Sequence, residues 1–275
     1  MLIEDHTKEL TIVTEKASKI INPKGTIQDA KDRLIHEHFL EVSINGYVAF
    51  RLSCTAEHLK ELVIGRLYTE GLIRGLDDME RLFFCAKGNI AEVTLKEGIP
   101  LQPYDGNEPT CCTGNRQYLS NPASKELRRL PNWREDPDAV FEMAGYFQKD
   151  SKLHRSTSGT HSCYIYLPDD AIVGFEDISR HNALDKAIGH MLLTGAAPEG
   201  CMLYTTGRVP VDMAEKVIRA GVPVLVSKSV PTDAAVDLAA KYNLTLICKA
   251  WPDSYTEFEK GEHYANRRMS GKDPG

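Results

Sequence analysis

The chain has 275 residues, of which 42% are hydrophobic and 26% charged, and its formal net charge is −6. This length and composition suit one large or two medium globular domains with ample core. They exclude a general nucleic-acid binder, whose surface is strongly basic. No apolar run approaches the roughly 20 residues needed to span a bilayer.

The stretch from Met1 to Leu10 is acidic and lacks the apolar centre of a secretory signal. Seven cysteines, an odd number, sit mostly in apolar strand-like runs. A cytoplasmic protein with reduced thiols is the expectation. Residues 1–34 are polar and show no clear period. Glu37 to Ile44 alternates like a half-buried strand, Asn45-Gly46 is a hairpin turn, and Tyr47 to Leu52 is the partner strand. Thr55 is placed to N-cap a helix from Ala56 to Glu70, with Leu59, Leu62, Val63 and Leu67 on one face. Gly71 ends that helix. Arg81 to Ala86 and Ile90 to Lys96 read as a second hairpin around Lys87-Gly88-Asn89. Residues 98–116, rich in Pro, Gly, Asn and Thr, read as a long loop or domain linker. Pro137 to Lys149 is helical in pattern. His161 to Leu167 and Ala171 to Asp177 read as an antiparallel pair, and the tail after Gly261 is polar.

The second half then repeats one grammar, an apolar strand, a short turn and an amphipathic helix. Ala171 to Asp177 leads into a helix whose Leu184, Ala187, Ile188 and Met191 share a face. Cys201 to Thr206 leads through Gly207-Arg208 into a helix near Pro210, with Met213, Val217 and Ile218 inside. Pro223 to Ser227 leads through Lys228-Ser229 into a helix from Pro231-Thr232, with Ala235, Leu238 and Ala239 inside. Leu244 to Cys248 reads as the last strand. Such alternation gives parallel βαβ units with right-handed crossovers. The strand ends then share one sheet edge, where α/β folds bind ligands. Arg180, Arg208 and Lys228 fall there beside three helix N-termini, which attract anions. His181 and Asp185 lie four apart, so this carboxylate is placed to hold the imidazole. A solvated helix face with ordinary i, i+4 pairs is the plainer reading of that stretch alone.

Pro109-Thr110-Cys111-Cys112-Thr113-Gly114-Asn115 carries the other chemistry. Cys85, Cys163, Cys201 and Cys248 read as small buried hydrophobes, but Cys111 and Cys112 lie in a polar loop. An accessible thiol near cationic groups can form a persulfide and pass its sulfur on. No Cys-x-x-Cys, His-x-Glu or Pro-Cys-x-x-Cys run is present, which argues against a structural zinc site and a zinc deaminase.

Several of these stretches together resemble the formate dehydrogenase accessory protein family, the sulfurtransferases that mature molybdenum-dependent formate dehydrogenase. They are Thr157-Ser158-Gly159-Thr160-His161, the run from Glu176 to Lys186, Thr206-Gly207-Arg208, Lys216, and Ala220 to Ser227. Pro231-Thr232, Leu244 to Ile247, Asn45-Gly46 and the helix from Glu61 to Ile73 complete the resemblance, which covers most of residues 35–256. Arg-His-Asn-Ala-Leu-Asp-Lys is its most specific motif.

The resemblance implies an α/β protein. A small N-terminal α+β domain takes residues 1–108. A cytidine-deaminase-like three-layer α/β/α domain takes residues 109–275, with the cysteine loop at its start and a flexible tail. It implies a carrier that passes persulfide sulfur from a cysteine desulfurase to the bis-molybdopterin guanine dinucleotide form of the molybdenum cofactor. The client is apo formate dehydrogenase or a related molybdoenzyme, and a homodimer is left open. Cys112 is the favoured sulfur carrier and Cys111 the fallback. The implied cofactor-binding set is Thr157, Gly159, His161, Asp177, Arg180, His181, Asn182, Asp185, Lys186, Gly207, Arg208, Lys228, Ser229 and Thr232. The loop Lys249, Ala250, Trp251, Pro252, Asp253, Ser254 joins it.

The chain departs from the family pattern in places. Many relatives carry Cys-x-x-Cys in the loop, whereas here the cysteines are adjacent and the residues three further on are Gly114 and Asn115. Ser158 and Ser179 replace glycines, and the Lys249–Ser254 loop is shorter than its counterpart and has no Arg. A carrier that binds the cofactor without transferring sulfur is the alternative function.

Overall fold

The computed structural model describes residues 1–104, 115–124, 126–133 and 136–258. Cys111, Cys112 and the tail after Gly261 lie outside them. The first half contains β1 (Leu2–Asp5), β2 (Val13–Ile21), β3 (Ile27–Ile35), β4 (His38–Ile44), β5 (Tyr47–Cys54), α1 (Leu59–Thr69), β6 (Met79–Phe84) and β7 (Ile90–Leu95). Three short strands follow, β8 (Gln102–Pro103), β9 (Arg116–Gln117) and β10 (Leu119–Ser120). Six strands form one sheet in the order β1-β6-β7-β4-β5-β9, while β2 and β3 form a separate two-stranded ribbon.

Both expected hairpins are present. Asn45 and Gly46 have φ of 50° and 85°, the left-handed pair that a two-residue type I′ turn needs. Leu40, Val42 and Ile44 alternate into the core while Phe39 and Glu41 face out, so the period-2 pattern reports burial directly. The helix starts three residues later than expected. His58, at φ 55°, precedes it without a side-chain cap, and Thr55 is engaged elsewhere, as described below. Gly71, at φ 69°, lies past its end, and the Leu72 N–H reaches back to the Leu67 carbonyl at 2.8 Å. Within residues 1–34, β1 pairs with β6, distant in sequence, and the β2–β3 ribbon mixes charged, polar and aliphatic residues without alternation and is largely exposed. Neither leaves a local apolar period. Because β9 pairs with β5, the chain leaves the first sheet after the expected division at residue 108.

The second half contains α2 (Pro137–Asp150), α3 (Lys152–Thr157), β11 (His161–Tyr166), β12 (Ile172–Asp177), α4 (Arg180–Thr194), β13 (Met202–Thr205), α5 (Val211–Ala220), β14 (Val224–Ser227), α6 (Asp233–Tyr242), β15 (Thr245–Trp251) and β16 (Ser254–Phe258). The sheet order is β12-β11-β13-β14-β15-β16. Strands β12 to β15 run in one direction, and β11 and β16 oppose them. α4, α5 and α6 cover one face through Ile165, Leu203, Leu225 and Leu246. α2 covers the other through Tyr164, Tyr204, Val226 and Ile247. Strands buried on both faces become continuously apolar, which made them legible. The expected last strand, Leu244 to Cys248, is longer and is followed by another. Lys249, at φ 51°, makes a bulge, and Pro252-Asp253 turns the chain into β16. The expected loop from Lys249 to Ser254 is therefore the end of a hairpin.

The two halves meet where α1 crosses α4. A Cβ on Gly65 would lie 1.8 Å from the Asp185 carbonyl oxygen, and one on Gly189 would lie 1.9 Å from that of Glu61. Only glycine permits backbones this close.

Candidate functional site

β12, β13 and β14 end on the same edge of the second sheet, and α4, α5 and α6 start there. This is the edge expected from the βαβ alternation. A cavity of about 470 Å³ opens at it, lined by Phe147, His154, Ser158, Gly159, Thr160, His161, Ile178, Thr206, Lys228, Ser229 and Trp251. The Lys228 ammonium stands 4.6 Å from the Phe147 ring centre and 4.8 Å from that of Trp251. Two aromatic faces thus hold one cation at the strand end. The bulge at Lys249 supports this placement, because the Lys249 N–H bonds the Ser229 carbonyl at 2.9 Å.

Glu176 builds the opposite wall. Its carboxylate accepts from the backbone N–H groups of Leu153 and His154 at 2.8 and 2.7 Å, and from the Thr160 hydroxyl at 3.0 Å. A β12 side chain thereby caps the start of α3 and fixes the Ser158–His161 turn. Thr157 steadies the same turn, accepting from the Gly159 N–H at 3.2 Å. Burial, reinforced by the charge of Arg180, lowers the His161 pKa, so this imidazole is neutral at pH 7. Arg180 lies across Gly207, where a Cβ would come within 2.7 Å of the Arg180 side chain. The Arg180 Nε is buried without a hydrogen-bond partner among the described residues. Arg208 is exposed at the start of the next turn.

Not all expected site residues gather here. Gly159, His161, Lys228, Ser229 and Trp251 line this cavity. His181 and Thr232 line a second one of about 620 Å³, with Arg66, Glu70, Tyr104, Asp212 and Lys216. Thr232 caps α6 by accepting from the Ala235 N–H at 3.3 Å. Asp185 does not hold His181. Asp212 does, at 3.0 Å from Nε2, because the helix turn carries Asp185 toward α1 instead. Pro252, Asp253 and Ser254 are exposed at the β15–β16 turn, while Ala250 is buried.

Asp177, Asn182, Asp185 and Lys186 are all 0% exposed. Their polar atoms join the two halves. Asp177 pairs with Lys186 at 2.7 Å and accepts from the Thr55 N–H at 3.1 Å and the Asn182 amide at 2.9 Å. Lys186 donates to the Thr55 hydroxyl at 2.7 Å, which is why Thr55 does not cap α1. Asp185 accepts from Thr69 at 2.7 Å and Lys216 at 2.8 Å, and pairs with Arg66 at 3.4 Å. Buried charges persist only when paired and hydrogen-bonded in this way. Asn182 accepts from the Asn115 amide at 3.0 Å, and Tyr104 lines the cavity beside His181. The chain just after residue 114 is thus tied to the start of α4. Cys111 and Cys112 themselves fall outside the described residues.

Sequence reasoning missed Phe147, His154, Ser158, Thr160, Ile178 and Thr206 as lining residues and Glu176 as the brace. Phe147 reads as an ordinary core position of α2, and only tertiary packing brings it under Lys228. Cys85 is not the small buried hydrophobe expected. It is half-buried in the β6–β7 turn and donates to Asn89 Oδ1 at 3.2 Å. Burial raises its pKa, but the backbone N–H groups of Ile90, Lys87, Asn89 and Gly88 outweigh this and leave it lowered. Cys163, Cys201 and Cys248 are buried as expected. Among the described residues no three His, Cys, Asp or Glu side chains cluster to hold a metal ion, and no helix is long and apolar enough to cross a membrane.

Two sheets joined by a buried ionic junction, with a cavity holding Lys228 at parallel strand ends, define a mixed α/β protein. Residues 35–264 match the model of the FdhD/NarQ family, and the chain belongs to that family. It is 30% identical over 228 residues to the sulfur carrier protein FdhD of Bacillus subtilis, covering 82% of this chain and 87% of that one. It is 31% identical over 227 residues to the sulfur carrier protein FdhD of Geobacillus kaustophilus, covering 81% and 86%. The fold matches a crystal structure described as a formate dehydrogenase accessory protein of Desulfotalea psychrophila. The TM-score is 0.73 at 22% identity, over 90% of this chain and 97% of that one.

Proposed function

We propose that this protein is a sulfur carrier acting on the molybdenum cofactor of a formate dehydrogenase or related molybdoenzyme. Its substrate is the bis-molybdopterin guanine dinucleotide, carried rather than retained. Cys112, with Cys111 as fallback, takes sulfur from a cysteine desulfurase. The thiolate attacks the outer sulfur of the donor persulfide, the S–S bond to the donor breaks, and the donor leaves as a thiolate. A reducing cytoplasm suits such a thiol.

The observation that carries this reading is the cation at the strand ends. Lys228 between Phe147 and Trp251, with the unpartnered Arg180 Nε nearby, fits a ligand with phosphates and flat rings. Phosphate oxygens accept from lysine and arginine, and purines stack on aromatic faces. Asn115, three residues after Cys112 in sequence, is tied to α4, which supports delivery of the thiol to the same edge. The relatives' names point the same way. Helices on both faces of the second sheet support the cytidine-deaminase-like architecture, although fold alone carries no deaminase activity.

The absence of a second cysteine at Cys-x-x-Cys spacing favours a second reading, a cofactor carrier that transfers no sulfur. Intact-mass measurement after incubation with a cysteine desulfurase and cysteine separates the two. The sulfur-carrier reading requires one added sulfur on the wild type and none on the Cys111→Ala/Cys112→Ala variant. Loading elsewhere, or full client activity from that variant in cells, overturns it. Guanosine diphosphate binding, followed by Trp251 fluorescence, tests the cavity separately. Lys228→Met is expected to weaken it about tenfold, roughly 1.4 kcal/mol.

A further inference from the structure

The edge of the second sheet opposite the Lys228 cavity holds a separate cavity of about 610 Å³. Both halves of the chain build it. α1 and the turn after it supply Tyr68, Ile73 and Arg74, and the last turn of α5 supplies Ile218 and Arg219. The segment linking the halves supplies Arg128, Arg129 and Leu130. That segment is fastened at both ends. Asn121 donates to the Leu72 carbonyl at 3.4 Å. Asn243, just past α6, donates to the Leu130 carbonyl and to Asn132 Oδ1 at 2.9 and 3.0 Å. The Leu130 N–H bonds the Tyr242 carbonyl at 2.8 Å. Leu130 is buried by this anchoring, and Arg128 and Arg129 stand exposed beside it.

Four arginines against two glutamates, Glu126 and Glu199, give the lining a local excess of positive charge in a chain of net charge −6. Ile73, Leu130 and Ile218 form an apolar floor. Arg74 pairs with Asp78 at 3.6 Å, yet its side chain stays 73% exposed. A compact phosphate does not suit this site. α5 ends here, capped by Gly221, so it presents carbonyl oxygens and the negative end of its dipole. The N–H groups that cradle phosphates lie at the other end of a helix. Guanidinium groups spread around an apolar centre instead match carboxylates carried on a chain, each of which accepts two parallel N–H···O bonds.

We infer that this cavity docks an acidic segment of a partner protein. Its carboxylates meet Arg74, Arg128, Arg129 and Arg219, and one apolar side chain rests on the floor at Leu130. Arginine clusters recognise acidic motifs in this way, and binding energy concentrates where arginines surround a desolvated centre. The site lies across the sheet from Lys228, so a partner held here leaves the ligand cavity open.

Fluorescence anisotropy with the full chain tests this. The probe is a fluorescein-labelled peptide in which one leucine is flanked on each side by glutamates. The wild type is expected to bind it saturably. Arg128→Glu/Arg129→Glu is expected to weaken binding at least tenfold, and Arg74→Glu at least threefold. Lys31→Glu/Arg33→Glu makes the same change of net charge as the first variant, but on β3, and is expected to stay within twofold. All five positions are exposed, and circular dichroism checks that each variant folds. Glutamine in place of the peptide's glutamates is expected to cost at least tenfold, and glycine in place of its leucine at least threefold. A wild type that does not bind the peptide saturably overturns the inference. Equal weakening by the β3 variant does so too, because net charge alone then explains binding. A glycine peptide that binds as tightly as the leucine one, or displacement by millimolar inorganic phosphate at constant ionic strength, overturns the acidic-segment assignment in favour of a simple anion site.

Discussion

Replacing Gly65 by alanine tests the junction between the two halves at its tightest point. The added methyl would sit 1.8 Å from the Asp185 carbonyl oxygen and 2.6 Å from its carbon, where ordinary contacts begin at 3.4 Å. Backbone cannot swing aside as a side chain can, so α1 and α4 must separate by more than 1 Å. Overpacking of this kind costs about 1–3 kcal/mol. The same shift lengthens the Arg66–Asp185 and Lys186–Thr55 contacts, which start at 3.4 and 2.7 Å. Loosening buried charged bonds adds about 1–3 kcal/mol. Against this, alanine is better than glycine in a helix by about 1 kcal/mol. A net loss of about 1–5 kcal/mol is expected, read as a lower guanidinium midpoint. Gly145, in α2, has nothing within 4 Å of the position a Cβ would take. Gly145→Ala is therefore expected to stabilise by up to about 1 kcal/mol. A Gly65→Ala variant within about 0.5 kcal/mol of wild type would refute the reasoning, as would equal effects at the two sites.

Glu70 gives the junction an acid-sensitive component. Burial raises its pKa, but Arg66 and Lys216, at 3.1 and 2.9 Å, outweigh this and hold it at about 2 against the usual 4.5. A carboxyl lowered on folding stabilises above the unfolded pKa, and this is lost as pH falls from 4.5 toward 2. Urea midpoints are expected to drop across that window by on the order of 3 kcal/mol, and Glu70→Gln should flatten the slope; an unchanged slope counts against it. Lys186→Met strands the Asp177 carboxylate in the interior and is expected to cost about 3–5 kcal/mol; a loss below about 1 kcal/mol in chemical denaturation contradicts the pairing. In a chain with Cys111 and Cys112 replaced by alanine, Cys85 should alkylate first under native conditions. Burial pushes the Cys201 and Cys248 thiols up to about 12 and raises Cys54 and Cys163 as well. Peptide mapping that finds any of these four labelled before Cys85 would contradict that order.

Much of the architecture is local and can be read from residue order alone. The type I′ turn at Asn45-Gly46 needs only two residues that tolerate positive φ. The strands ending at Thr205 and Ser227 are apolar on both faces because helices cover both, and the helices after them carry the 3.6-residue period. Their succession sets the direction of the parallel strands, and therefore which sheet edge gathers Arg180, Arg208 and Lys228. β1 escaped notice because its partner β6 lies far away in sequence, and the β2–β3 ribbon because its faces are largely exposed and carry no apolar period. The chemistry of the site was less legible, because side-chain partners are chosen in space. Asp185 and His181 stand one helical turn apart, yet they turn to different neighbours, Lys216 and Asp212, that no spacing rule names. The motif residues Asp177, Asn182 and Lys186 look like ligand contacts in sequence, since charge near a strand end attracts ligands. Only the crossing of α1 over α4 closes them from solvent and makes them the bond between the halves. Phe147 and Trp251 come from segments a hundred residues apart, and packing alone sets both rings against the Lys228 ammonium.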